Sequence, residues 1–187
     1  MKRGLGLAVM MMVLPAFTGG CTTAIKEGVG AATGAKGSVT VIRALSPDEK
    51  ARPLAGYQRF ELGKLDDRMN GQGPAGLWGK VAERLPGQLR SKGIPDRASG
   101  KTAVINGTLL HYEGSGAMGL ALGPTEFAVA RVELADKASG KVLGVANCVG
   151  RTNERVNMGL DKKAEGLAKA IAEWIDQNYP TEGRTNE

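Results

Sequence analysis

Gly114-Ser115-Gly116-Ala117-Met118-Gly119 carries three glycines at the spacing of a dinucleotide-binding turn. That chemistry needs the glycines to open a helix whose N-terminus holds the pyrophosphate. Here they run through Leu120-Ala121-Leu122-Gly123-Pro124 toward a strand pattern, so they read as a loop or a bulged strand end. Ser99-Gly100-Lys101-Thr102 ends like a phosphate-binding loop. The first glycine of such a loop would stand at position 95, which is Pro95, and a strand follows where a helix is required. Proline has no N–H to give to a phosphate cradle.

His111 is the single histidine, so any Ser–His or Cys–His relay and any histidine metal site must run through it. Its strand setting beside Tyr112 suits a hydrogen-bonded structural histidine. No serine stands in a GxSxG elbow and no HExxH occurs. Asp66-Asp67 are adjacent carboxylates in a stretch rich in Gly and Asn. Calcium would need further oxygen ligands at loop spacing, and only Asn70 is near, so a solvated loop is expected. Trp78 and Trp174 fall on helical apolar rows and read as anchors of helix onto sheet. Cys148 lies in an apolar run, where a small buried thiol is the default. The two cysteines, Cys21 and Cys148, form no CxxC pattern. The sequence therefore assigns no catalytic, cofactor-binding or metal residue.

Cys21 differs in kind. Lys2 and Arg3 precede an apolar run from Gly4 to Phe17, and the small residues Thr18, Gly19 and Gly20 follow. That is the order of a secretory leader. The run is too short, and too soon broken by Pro15, to span a bilayer. With a cysteine directly after the small residues, the stretch resembles a bacterial lipobox, although the third residue before the cysteine is Thr18 where Leu is usual. The resemblance implies cleavage between Gly20 and Cys21 and lipid on the sulfur and nitrogen of Cys21. An ordinary leader with an incidental cysteine is the rival reading. Because one acyl chain binds only marginally and each buried methylene adds about 0.8 kcal/mol, several chains would anchor the protein durably. Thr22 stands where lipoproteins kept at the inner membrane often have Asp, which implies sorting to the outer membrane.

The totals agree with an exported domain that binds no nucleic acid. The charge is +6, and two of the cations, Lys2 and Arg3, belong to the leader. Clusters such as Lys162-Lys163 are interrupted by Asp161 and Glu165 and read as a solvated helix face. Aromatic interleaving of the nucleic-acid-binding kind is missing. With 4% aromatic residues, the core must come from Val, Leu, Ile and Ala.

The elements that must position these residues follow from periodicity. The expected divisions are a signal peptide over 1–20, a lipid-anchored Gly/Ala-rich tether over 21–37, one domain over 38–179 and a disordered tail over 180–187. The tether would span on the order of 20 Å as a coil. Strands are expected at Ser38–Ala44, Tyr57–Leu62 and Thr102–Tyr112. A hairpin joins Thr125–Ala135 to Lys141–Arg151, with Gly140 left-handed in its loop. Leu77, Trp78, Val81, Leu85 and Leu89 mark a helix that Pro74 opens and Pro86 kinks or divides. Asp161 caps a last helix with the apolar row Ala164, Leu167, Ala168, Ile171, Trp174 and Ile175. Together these predict an α+β fold, an antiparallel-rich sheet of about five strands with two amphipathic helices packed on one face.

Val132-Glu133-Leu134-Ala135-Asp136-Lys137-Ala138-Ser139-Gly140-Lys141-Val142-Leu143, a glycine-rich strand before it and a closing helix after it resemble a class of uncharacterised Gram-negative envelope lipoproteins grouped as domain-of-unknown-function families. The likeness runs from about Ser38 to Tyr179. It implies location and fold and brings no active site. The expected function is that of a non-enzymatic binding or assembly module, tethered to membrane through Cys21 and meeting another envelope protein, with no cofactor. A periplasmic carrier of lipid or another small ligand is the alternative, and a hydrolase ranks third.

Overall fold

The computed structural model describes residues 35–114, 126–152 and 159–180. Along them run β1 (Ala35–Arg43), β2 (Tyr57–Asp67), α1 (Leu77–Ser91), β3 (Lys101–Tyr112), β4 (Glu126–Asp136), β5 (Val142–Thr152) and α2 (Gly159–Gln177). The five strands form one sheet in the order β1-β5-β4-β3-β2. This is the expected α+β class. The β2–β3 pair is parallel and the other three pairs are antiparallel. The exception has a cause, because α1 is the crossover between β2 and β3, and such a connection returns the chain in its original direction.

Alternation sorts the two sheet faces. Ala128, Ala130, Val132 and Leu134 of β4 are all fully buried, while Arg131 between them is exposed. Their neighbours Ala103, Ile105 and Leu109 on β3, and Ala146 and Cys148 on β5, complete the face that meets the helices. Helix α1 contributes Leu77, Val81, Leu85 and Leu89 to this core. Helix α2 contributes the whole expected row from Ala164 to Ile175. The helices lie side by side and point the same way. Lys80 pairs with Asp161 at their N-terminal ends (2.6 Å), and Lys92 pairs with Glu173 (2.5 Å) and Asp176 (3.3 Å) at their C-terminal ends.

Helix α2 sits on β1 and β5 with almost no side chain between. A Cβ on Gly166 of α2 would stand 2.6 Å from the Lys36 carbonyl oxygen and 2.8 Å from the Gly150 Cα. A Cβ on Gly37 would stand 2.6 Å from the Ala170 nitrogen, and one on Gly150 would stand 2.6 Å from the Leu167 nitrogen. The atoms met are backbone, which cannot swing aside as a side chain can.

Several boundaries differ from the sequence reading. β1 begins at Ala35 because Gly37 is already pressed against α2. β2 continues past Leu62 to Asp67 through an irregularity between Leu62 and Leu65. Pro74 does not open α1. Gly76, at φ 87°, breaks the backbone there, and the helix starts at Leu77. Pro86 does not divide it either, since the buried residues Leu85 and Leu89 hold both halves on the core. Asp161 lies inside the first turn of α2, where it pairs with Lys80, and it does not cap the helix. Gly140 has the expected left-handed conformation, at φ 69°.

Glycine-to-alanine changes inside helices ordinarily stabilise by about 0.5–1 kcal/mol. Gly79→Ala and Gly87→Ala on α1, where an added methyl meets open space, should show that gain. Gly166→Ala should instead lose roughly 1–3 kcal/mol to overpacking, read as the urea midpoint of each variant. A stabilised Gly166→Ala would contradict the close contact.

Candidate functional site

Cys21, the Gly20–Cys21 cleavage position and Ser115 to Gly119 of the glycine motif lie outside the described residues. Of the remaining candidates, the structure brings Asp66, Asp67 and Trp78 together at the end of β2. Gly100 takes φ 115°, and Lys101 begins β3 directly, so the GKT sequence is a strand start. His111 is exposed, and its ring faces Phe127 at 5.1 Å between centroids, a surface stack and not the expected hydrogen-bonded setting.

Asp66 and Asp67 are not in a loop. They end β2, paired with Thr108 and Leu109. Asp66 pairs with Lys64 (2.9 Å), and Asp67 accepts the N–H groups of Met69 (2.7 Å) and Gly73 (3.1 Å), which fixes the turn after the strand. Trp78 donates its indole N–H to the Asp66 carbonyl at 3.2 Å and packs over Gly107. Trp174 is fully buried. Both serve as the expected anchors. Cys148 is fully buried too, and burial pushes its thiol up to about 12, which keeps it from reacting as a thiolate. Among the described residues, no group of three His, Cys, Asp or Glu side chains is placed to hold a metal ion, and no helix is long and apolar enough to cross a membrane.

Two polar clusters that the sequence reading missed organise the sheet. Lys163, expected on a solvated face, is fully buried. Its ammonium donates to the Glu113 carbonyl, pairs with Glu126 at 2.7 Å and stands 4.0 Å from the centre of the Tyr112 ring. It thus ties the end of β3 and the start of β4 to α2. The signal was in the spacing: positions 163, 167, 170 and 174 form one helical row, and the other three are Leu, Ala and Trp.

The second cluster lies at the β4–β5 turn. Asp136 Oδ1 accepts the N–H and the hydroxyl of Ser139, each at 2.8 Å, and Oδ2 accepts the Tyr57 hydroxyl at 2.9 Å. Tyr179 in turn donates to the Tyr57 carbonyl at 3.1 Å. The Asp, Ser and Gly of the hairpin motif therefore each have a turn-forming task. The Ser139 donors, then Tyr57 and Lys101, hold the Asp136 carboxyl down to about 2. Burial, and then the hydrogen bond to Asp136 and its charge, push the Tyr57 hydroxyl up to about 12.

Two apolar features open to solvent lie at the two ends of the sheet. Val41 and Ile42 on β1 are 47% and 55% exposed, the exposed large apolar side chains among the described residues. At the opposite end, a groove of about 130 Å³ runs between β2 and α1, walled by Phe60, Leu62, Leu85, Pro86, Leu89 and Ile94. Arg90 and Asp96 stand at its rim.

Neither a family model nor a curated relative matches the sequence. Among solved structures, the fold is similar to a point variant of PelC from Paraburkholderia phytofirmans, a dodecamer. The TM-score is 0.51 at 17% identity over 74% of this chain and 96% of that one. Looser likenesses are to a minor lipoprotein from Acinetobacter baumannii and to a Xanthomonas campestris protein of the domain-of-unknown-function family DUF330. The former has a TM-score of 0.39 at 16% identity over 65% and 94%. The latter has 0.43 at 11% over 74% and 91%. At these identities the PelC likeness is one of fold.

Removing one partner of a buried ion pair costs about 3–5 kcal/mol. Lys163→Met should lose that much in urea unfolding, and Lys163→Met with Glu126→Leu should recover most of it. A single variant as stable as the wild type would show the pair to be ornamental. Asp136 has a depressed carboxyl, so its contribution is complete above its ordinary 3.8 and lost as pH falls toward about 2. Tyr57 has a raised hydroxyl, so its contribution is complete below its ordinary 10 and lost as pH climbs toward about 12. In unfolding midpoints measured across pH, Tyr57→Phe should move the acid fall to higher pH and flatten the alkaline one.

Proposed function

We propose that this chain is a lipid-anchored protein of the cell envelope, held at the outer membrane through Cys21 and facing the periplasm. It works without catalysis, by assembling with membrane-held partners, further copies of itself among them. The observation that carries this reading is the order of residues at the start of the chain. Two cations, an apolar run and three small residues stand directly before Cys21.

The architecture supports the assembly part. A sheet with two terminal strands offers backbone donors and acceptors at both ends, which is how many proteins add a neighbour. PelC, which shares the fold, is a dodecamer. An anchor confines copies to one surface and raises their effective concentration, so a weak contact suffices. The carrier alternative draws little support from the groove, because about 130 Å³ falls well short of the roughly 300–1,000 Å³ of ligand clefts.

The test is fractionation of cells expressing the full chain, together with the intact mass of the mature protein. Wild type should pellet with membranes and begin at an acylated Cys21, and Cys21→Ser should move to the soluble fraction. Soluble wild-type protein with an unmodified cysteine would overturn the proposal.

A further inference from the structure

We infer that copies of this chain join edge to edge, β1 of one copy lying along β2 of the next, with Val41 entering the groove between β2 and α1. This names the contact surfaces for the assembly proposed above and rests on that reading.

Side-chain parity carries the argument. Val41 is paired with Ala146 and Val39 with Cys148, so both belong to the sheet face that meets the helices. On the far side, Phe60 is paired with Ala103 and Leu62 with Ile105, which are buried on that same face. A sheet continued from β2 into a neighbour's β1 therefore puts Val41 in the layer where the groove opens. In a strand, a side chain of the other parity would point away from it. The groove is of the right size, since a dry apolar cavity of about 150 Å³ takes a benzene ring.

Two further observations select a second copy as the occupant. β1 carries Lys36 and Arg43 and no acid, whereas β2 carries Glu61, Asp66 and Asp67 against Arg59 and Lys64. At the groove rim Asp96, its side chain 66% exposed and 3.7 Å from Arg59, stands with Arg90, so the contrast is between the two strands themselves. The opposite signs at the two ends favour head-to-tail pairing and oppose β1 meeting another β1. Among the described residues the outward side of β2 is also largely free: the Arg97 N–H takes the Gln58 carbonyl at its start, and no described strand lies beyond it. A contact between two different edges is heterologous, so it repeats until a ring closes or a filament grows.

The experiment uses the full chain extracted from membranes in detergent, with Thr40→Cys on β1 and Arg59→Cys on β2, treated with a short bismaleimide. Acylation blocks Cys21 and burial shields Cys148, so the introduced thiols are the ones that react. The double variant should give a ladder beyond the dimer, and each single variant should stay monomeric on a denaturing gel. Light scattering of the uncrosslinked protein reports assembly separately, and Val41→Asp should reduce the mass to that of a monomer without changing the circular dichroism spectrum. A dimer from Thr40→Cys alone would establish a symmetric β1 contact and overturn the inference. A multimer by scattering that gives no ladder overturns these surfaces and leaves self-assembly standing. A wild-type monomer overturns both.

Discussion

The close approach of α2 to β1 and β5 is the constraint on which the rest of the architecture depends. Gly166, Gly37 and Gly150 let helix and sheet meet backbone on backbone, well inside the ordinary separation of such layers. At that distance the residues beside the contact must be small, and they are: Ala164, Ala168, Ala170 and Ala172 on the helix, Ala146 and Cys148 on β5. A core this thin explains how a chain so poor in aromatic residues encloses one. It also accounts for the asymmetry of the sheet. Helix α2 meets β1 around Ala35 and Gly37, and Val41, four residues beyond Gly37 on the helix-facing side, is 47% exposed.

The polar groups act as fasteners where the apolar contacts thin out. Lys163 enters from α2 and meets a carboxylate, a carbonyl and an aromatic ring at the mouth of the β3–β4 connection. Asp136 closes the β4–β5 turn at the other end and reaches back to Tyr57 at the start of β2. Between them they fix both ends of the central strand β4. A buried lysine beside a glutamate, or an aspartate with a depressed pKa beside a tyrosine, is a pattern also found in active sites. Here Lys163, Asp136 and Tyr57 are each engaged by neighbours within the fold.

Much of this was legible in the residues. The alternation in Ala128-Val129-Ala130-Arg131-Val132-Glu133-Leu134 gave β4 its faces, and Gly140 gave the turn, because both depend on local geometry alone. The helical rows from Leu77 and from Ala164 were readable for the same reason. What escaped were facts of tertiary contact. Nothing local says that Asp66 and Asp67 continue a strand, since Thr108 and Leu109 hold them there from forty residues away. Lys163 looked solvated because Asp161, Lys162 and Glu165 around it are charged too. The glycine contact was hidden because Gly37, Gly150 and Gly166 need no unusual torsion, only an absent methyl. The expected leader and Cys21 stand apart from this comparison, lying outside the described residues.

The strand order also has a consequence for the sequence of events in folding. β1 comes first among the strands yet pairs only with β5, the last, from Ala35 against Thr152 onward. Its other support, α2, comes later still. A nascent chain therefore carries β1 as an unpaired, β-prone segment until nearly all the rest has emerged, while the β3–β4–β5 meander can form by itself from near neighbours. During that wait Val39, Val41 and Ile42 are exposed together, the kind of segment a holding chaperone would have to shield.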